Sequence, residues 1–290
     1  MIKTVSLYYT PIRQIAGCKK VVDNLVIGLQ QMNVQVLHNQ PSHFCGCLHG
    51  NVGKFLDKTL PKNTLIGPEI MVLPTEDVSP WSVYTHWVQP SEWVVDYMIT
   101  FKQTNKNLFY VWPVGINTEQ FNETGRGNFE YDCFIYYKNV TKQTPVEKLS
   151  KVQKTLQAMN LKQVTLTYGQ YPEQQLIEMT KKCKFGIFLT GTESQGLAIM
   201  ECMSSGVPVL VVEEKNFLYG SFTFTSNNVS AVPYFDERCG MKTSMETFEK
   251  DLPVFIQNLQ KYKPRQYILD NHTLVKGAQK YIDILEKINA

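Results

Sequence analysis

The sequence predicts an α/β protein of two domains, each built on an open parallel sheet. Three observations lead there. At 290 residues the chain exceeds the usual single-domain length, so two domains with real cores, and a cleft between them, are expected. Apolar strand-like runs alternate with segments of helical periodicity, the pattern of parallel strands joined by right-handed crossovers. That alternation lapses once, through VGINTEQFNETGRGNFEYD, which is rich in Asn, Thr and Gly and places the boundary near residues 118–128.

The elements follow in order. TVSLYY reads as a strand, and TPIRQIAGC then breaks regularity. Val21, Val22, Leu25, Val26 and Leu29 recur at helical spacing, and NVQVL reads as the next strand. PSEWVVDYMITF opens with a capping signal at Ser91 and sets Val94, Tyr97, Met98 and Phe101 on one face of a helix. NLFYVW is a strand stopped by Pro113. Beyond the boundary come strand CFIYY, a helix over about residues 145–159, strand VTLTY, a helix from Pro172, strand FGIFL, a helix from about Gln195 and strand VPVLVV. This second alternation predicts a second Rossmann-like domain. After Ser244 two helices are expected, the last over about residues 264–288.

Composition excludes several classes. A net charge of +3 with scattered lysines argues against an extended nucleic-acid surface. No run of 18 apolar residues or signal-peptide pattern is present, so a soluble, cytoplasmic protein without a transmembrane segment is expected. Seven scattered cysteines read as reduced thiols rather than a disulfide framework. Four Asn-x-Ser/Thr sequons, at Asn122, Asn139, Asn228 and Asn271, then read as chance. In HFCGCLH the four ligand-type residues His43, Cys45, Cys47 and His49 would stretch over about 20 Å as a strand, too far for one zinc ion, and no metal site is expected.

The chemistry concentrates in GTESQGLAIMECMSSGVPVLVV, residues 191–212. Strand FGIFL ends at Leu189, and a loop carrying Glu193 leads into a helix carrying Glu201. Ligands of open parallel sheets sit beyond the carboxyl ends of the strands, where both glutamates lie. The helix start offers free N–H groups to an anion, and Gly196 permits close approach. Two carboxylates flanking that point can accept hydrogen bonds from sugar hydroxyls. The ordinary reading, a solvated loop glutamate and a surface helix glutamate, fits the spacing alone equally well.

The full stretch resembles the E-x7-E signature of retaining GT-B glycosyltransferases, especially glycosyltransferase family 4, whose members read E-G-F-G-L and then E-A-M-A-C-G-V-P-V-V. Ser194 and Gln195 depart from that pattern; Gly196 and Leu197 match it. Residues 113–121, PVGINTEQF, resemble the family's interdomain segment, PSEWVVDYM its Ser-x-[Trp/Phe] helix start, and IAGCKKVVDNLVIGL its Gly-Gly loop, here with Gly17 alone. The compact length is similar to that of enzymes of large DNA viruses such as chloroviruses.

The resemblance implies a GT-B fold: residues 1–120 an acceptor-side domain, 121–268 a donor-side domain, and 269–290 a helix packing back on the first. It implies that Glu193 hydrogen-bonds the donor sugar, Glu201 the ribose, and that Lys138 and Lys142 face the diphosphate where the family carries basic residues. Ser194, Gln195, Gly196, Leu197, Gly17 and Tyr168 complete the implied donor contacts. Tyr168 and Tyr171, in TYGQYP after another strand, read equally as borders of the base and as core packing or a plain turn. The implied reaction moves a hexose, mannose from GDP-mannose for preference, to a hydroxyl of a glycan or glycoprotein acceptor, without a metal or other cofactor. A homodimer is compatible with it. Two alternatives stand beside it: a nucleotide-sugar epimerase on the same scaffold and a non-catalytic nucleotide-sugar binding protein. His86, in YTHWVQP, reads as a packed or surface histidine rather than a sugar contact.

Overall fold

The computed structural model describes residues 2–10, 17–49, 60–68, 75, 83–101, 108–140 and 144–290. The chain forms two compact units, Met1–Gly115 with His272–Ala290, and Ile116–Asn271.

The first unit holds β1 (Thr4–Tyr9), α1 (Gly17–Gln31), β2 (Gln35–His38), β3 (Cys45–His49), β4 (Leu65–Ile66), β5 (Trp87–Gln89), α2 (Glu92–Phe101) and β6 (Phe109–Val111). Among its described residues six strands lie parallel in the order β2-β1-β3-β4-β5-β6. A late helix, α8 (Leu274–Asn289), completes this unit by packing on α1. The contact is close because glycines line it: a Cβ on Gly28 would stand 2.5 Å from the Leu274 carbonyl oxygen. Likewise a Cβ on Gly277 would stand 2.4 Å from the Gly115 nitrogen. Trp112 Nε1 donates to the Gly277 carbonyl at 2.8 Å, and its ring meets that of Tyr281 at 4.7 Å.

The second unit holds β7 (Tyr131–Tyr137), α3 (Val146–Ala158), β8 (Gln163–Thr167), α4 (Glu173–Lys182), β9 (Cys183–Leu189), α5 (Leu197–Ser204), β10 (Val209–Val212), β11 (Asn216–Tyr219), β12 (Phe222–Thr225), β13 (Gly240–Thr243), α6 (Phe248–Gln257) and α7 (Pro264–Asn271). Five parallel strands run in the order β13-β10-β9-β7-β8, while β11 and β12 form a separate antiparallel hairpin. Both faces of this sheet are covered, which is why its strands read as unbroken apolar runs. Phe134, Tyr136, Phe188 and Val211 pack with Met200 and Met203 of α5 and Ile268 of α7. Cys133, Ile135, Ile187 and Leu210 pack on the opposite face with Val152 and Leu156 of α3 and Leu252 and Phe255 of α6. Arg265 of α7 donates to the carbonyls of Ser204 and Phe121, holding the end of α5, where a cation also suits the helix dipole.

Two expectations are corrected. The helix expected from Gln195 starts at Leu197, because Gly196 adopts the left-handed conformation (φ 81°, ψ 47°) and no helical turn includes it. The two helices expected after Ser244 are three, with a break between α7 and α8 where one helix was expected over 264–288. Thr273 makes that break. Its backbone is extended, and its side-chain oxygen accepts from the Lys276 N–H as an N-cap.

Candidate functional site

In the second unit the chain leaves β7 toward β8 on one side, and the strand on its other side is β9. The ends of β7 and β9 therefore form the switch point, where open parallel sheets hold ligands. Lys138 follows β7 directly, and its N–H donates to the Leu189 carbonyl at the end of β9 at 2.8 Å. Alternation along β7 sends the Lys138 side chain to the side of Phe134 and Tyr136, which is the α5 side.

There Lys138 meets Glu193. Its Nζ lies 2.8 Å from Oε1 and 3.0 Å from Oε2, a fully engaged carboxylate. The two side chains are 23% and 13% exposed, so Glu193 is not the solvated loop glutamate of the ordinary reading. Burial works against the Lys138 ammonium, but the charge and hydrogen bond of Glu193 outweigh it, and its pKa lies above the ordinary lysine value. The cation is held firmly protonated. The Tyr168 ring, itself well exposed, lies 5.0 Å from the Lys138 Nζ in a cation–π contact.

The loop to α5 carries the other expected residues. Ser194 is exposed, whereas Gln195 is buried and directs its Nε2 to the Met200 Sδ at 3.6 Å. Gly196 caps α5, and Leu197, half-buried, opens it. Glu201 sits one turn inside α5 and is only 2% exposed, a carboxylate placed in the interior rather than on a helix surface. Tyr171 donates through its hydroxyl to the Tyr136 hydroxyl at 3.0 Å. Burial raises the Tyr171 pKa, with Glu201 among the charges that add to the rise. The structure thus groups Lys138, Glu193 and Tyr168 at the switch point, with Gly196 and Glu201 on the helix entering it.

Gly17 belongs to the other unit, exposed at the start of α1. Lys142 lies outside the described residues. Cys45 and Cys47 are buried in β3, where burial pushes the Cys47 thiol up to about 12. His86 stacks on Tyr110 and is shifted toward the neutral form by burial.

Sequence reasoning missed three residues around the loop. Glu213, Ser230 and Lys242 form a linked cluster that supports the Glu193 backbone through the Ser230 carbonyl. They are 17 and 29 positions apart from Glu213 outward, and no local spacing signals the cluster. The hairpin of β11 and β12 was readable: NFLYGSFTFT carries a Gly-Ser pair between two alternating runs.

No protein-family model matches the sequence, and no curated protein is detectably similar to it. The fold does have solved counterparts. A lipopolysaccharide outer core galactosyltransferase, WaaB, superimposes with a TM-score of 0.64 at 9% identity over 98% of this chain and 99% of its own. Sucrose-phosphate synthase from Thermosynechococcus elongatus gives 0.63 at 11% identity, with 98% of both chains covered. TarM from S. aureus, in a complex containing UDP, gives 0.56 at 11% identity over 90% of this chain and 58% of its own. At such identities the likeness speaks for architecture alone. The architecture is that of the GT-B glycosyltransferases, an α/β protein with two sets of parallel strands.

Proposed function

We propose that the protein is a glycosyltransferase that moves a hexose from a nucleotide diphosphate sugar to a hydroxyl of a glycan or glycoconjugate, with retention of configuration. One observation carries the reading: a lysine and a carboxylate engaged at the switch point of the second sheet, beside a helix N-terminus that carries a buried glutamate. As the donor's glycosidic bond breaks and the acceptor oxygen bonds the anomeric carbon on the same face, negative charge builds on the departing diphosphate, which takes the acceptor's hydroxyl proton. Lys138, already protonated, stabilises that charge, and the N–H groups at the start of α5 add to it. Glu193 turns a carboxylate oxygen from Lys138 to a hydroxyl of the donor sugar, and Glu201 accepts from the ribose. No divalent metal enters this scheme, because Lys138 supplies the cation. The first unit is assigned the acceptor.

GDP-mannose heads the donors on the usage of the family that the E-x7-E stretch resembles. UDP-sugars stand second, supported by the TarM complex with UDP. The test is calorimetric titration with GDP-, UDP- and ADP-sugars. At least one binds, and Glu201→Ala weakens it about tenfold or more, the loss of a hydrogen bond to a charged group. Absence of binding by every donor refutes the assignment, and an isomerised donor formed without acceptor would replace transfer by epimerisation.

A further inference from the structure

Among the described residues, two contacts hold Glu193 at its two ends. Lys138 grips its carboxylate, and its N–H donates to the Ser230 carbonyl at 3.1 Å. The second anchor is itself anchored. Ser230 lies in the buried stretch 229–232 and donates its hydroxyl to both carboxylate oxygens of Glu213 at 3.0 Å. The next N–H, of Ala231, donates to Glu213 Oε1 at 2.5 Å. Lys242 of β13 stands 2.8 Å from Glu213 Oε2 and 3.2 Å from the Ser230 hydroxyl. Glu213 directly follows β10, and its own N–H donates to the Thr243 carbonyl, so its backbone belongs to the sheet. Lys215, 3.9 Å away and well exposed, adds little.

A carboxylate only 9% exposed at its side chain thus gathers a hydroxyl, a backbone N–H and an ammonium, all bearing on one short segment. Through the Ser230 carbonyl that segment reaches the backbone of Glu193. We infer that Glu213 is a positioning residue for Glu193, transmitting the rigidity of β10 and β13 through the Ser230 carbonyl to the loop that presents the sugar-binding carboxylate. The role rests on the proposed function of Glu193. Lys138 alone fixes the far end of a flexible side chain, whereas the Ser230 carbonyl fixes where that side chain begins. Both are required if Glu193 is to leave Lys138 for a sugar hydroxyl and still stand in one place.

The test compares wild type, Glu213→Ala, Glu213→Gln, Glu193→Ala and the Glu193→Ala/Glu213→Ala double variant. Turnover of the donor found by titration is measured per folded molecule by circular dichroism, alongside hydrogen exchange of the peptide spanning residues 190–197. Glu213→Ala is expected to lower kcat about 30- to 100-fold, the range for a misplacement near 1 Å, with donor KM changed less than about threefold. Glu213→Gln, whose amide oxygen still accepts from Ser230 and Ala231, recovers at least about a third of kcat. Exchange at the Glu193 amide quickens in Glu213→Ala, and in the Glu193→Ala background the second substitution adds no further loss. Unchanged exchange, kcat within about twofold of wild type, or a full additive loss in the double variant overturns the positioning role. A wild type inert toward every donor removes the function of Glu193 itself, and the positioning role falls with it, a result separate from a defect confined to the Glu213 variants.

Discussion

Replacing Lys138 by methionine tests the central pair without invoking a substrate. Lys138 and Glu193 approach to 2.8 Å, and at an effective dielectric near 20 two unit charges at that distance attract by about 6 kcal/mol, offset by the desolvation of both. The methionine keeps most of the apolar stem but leaves the Glu193 carboxylate, 13% exposed, facing it. Breaking a fully buried pair costs about 3–5 kcal/mol; some water reaches this one, so Lys138→Met is expected to lose about 2–3 kcal/mol. Adding Glu193→Gln removes the charge that Lys138 no longer balances and brings stability back to within about 1 kcal/mol of wild type. The pH dependence has a definite sign. Because the folded pKa of Lys138 is raised, the stabilisation is present below the ordinary lysine pKa and is lost as pH rises through the folded value. The deficit of Lys138→Met is therefore steady across neutral pH and shrinks in strong alkali. Urea unfolding followed by far-ultraviolet circular dichroism measures it; tryptophan fluorescence would not, since the stretch Ile116–Asn271 contains no tryptophan. A loss below about 0.5 kcal/mol, or one that Glu193→Gln deepens, would refute the reasoning.

Two further predictions concern the first unit. Burial, aided by Lys280 and Lys276, pushes His272 down to about 4, so the unfolded chain takes up its proton first as pH falls. Stability is present above the ordinary histidine pKa and declines below it, by about 2 kcal/mol between pH 7.5 and 5; His272→Asn should flatten that decline in urea titrations at the two pH values. Tyr281 is fully buried, and its hydroxyl has no hydrogen-bond partner among the described residues. Tyr281→Phe is accordingly expected to be neutral or stabilising by up to about 1 kcal/mol, and a loss above that in thermal unfolding would reveal a partner for the hydroxyl.

The legibility of the fold followed element length and burial. β7 and β9, seven residues each and apolar on both faces, are visible as runs, and α1 shows its core face through Val21, Leu25 and Leu29. β4 and β5, two and three residues long, are too short to display any period and are held by their neighbours rather than by their own sequence. The break before α8 turned on a single side chain, Thr273, inside an otherwise continuous helical pattern. At the site the carboxylates could be read from GTESQGL because loop and helix are contiguous there. Their burial could not, since α5, which carries Glu201, packs on α7, distant in sequence. Nor could the Glu213 cluster, whose members come from the residue after β10, the 229–232 stretch and β13.

The two units differ in how synthesis would reach them. Ile116–Asn271 is one uninterrupted stretch, so every residue of its sheet and covering helices has been synthesised before α8 exists. The first unit is discontinuous. Its six strands emerge early, but the face of α1 that meets α8, with Gly28 in closest approach, stays uncovered until the chain has passed through the whole of the second unit. The part that begins first is thus the part that finishes last, and a released chain ending before Leu274 would carry every residue of the second unit but a first one still exposing apolar surface to chaperones.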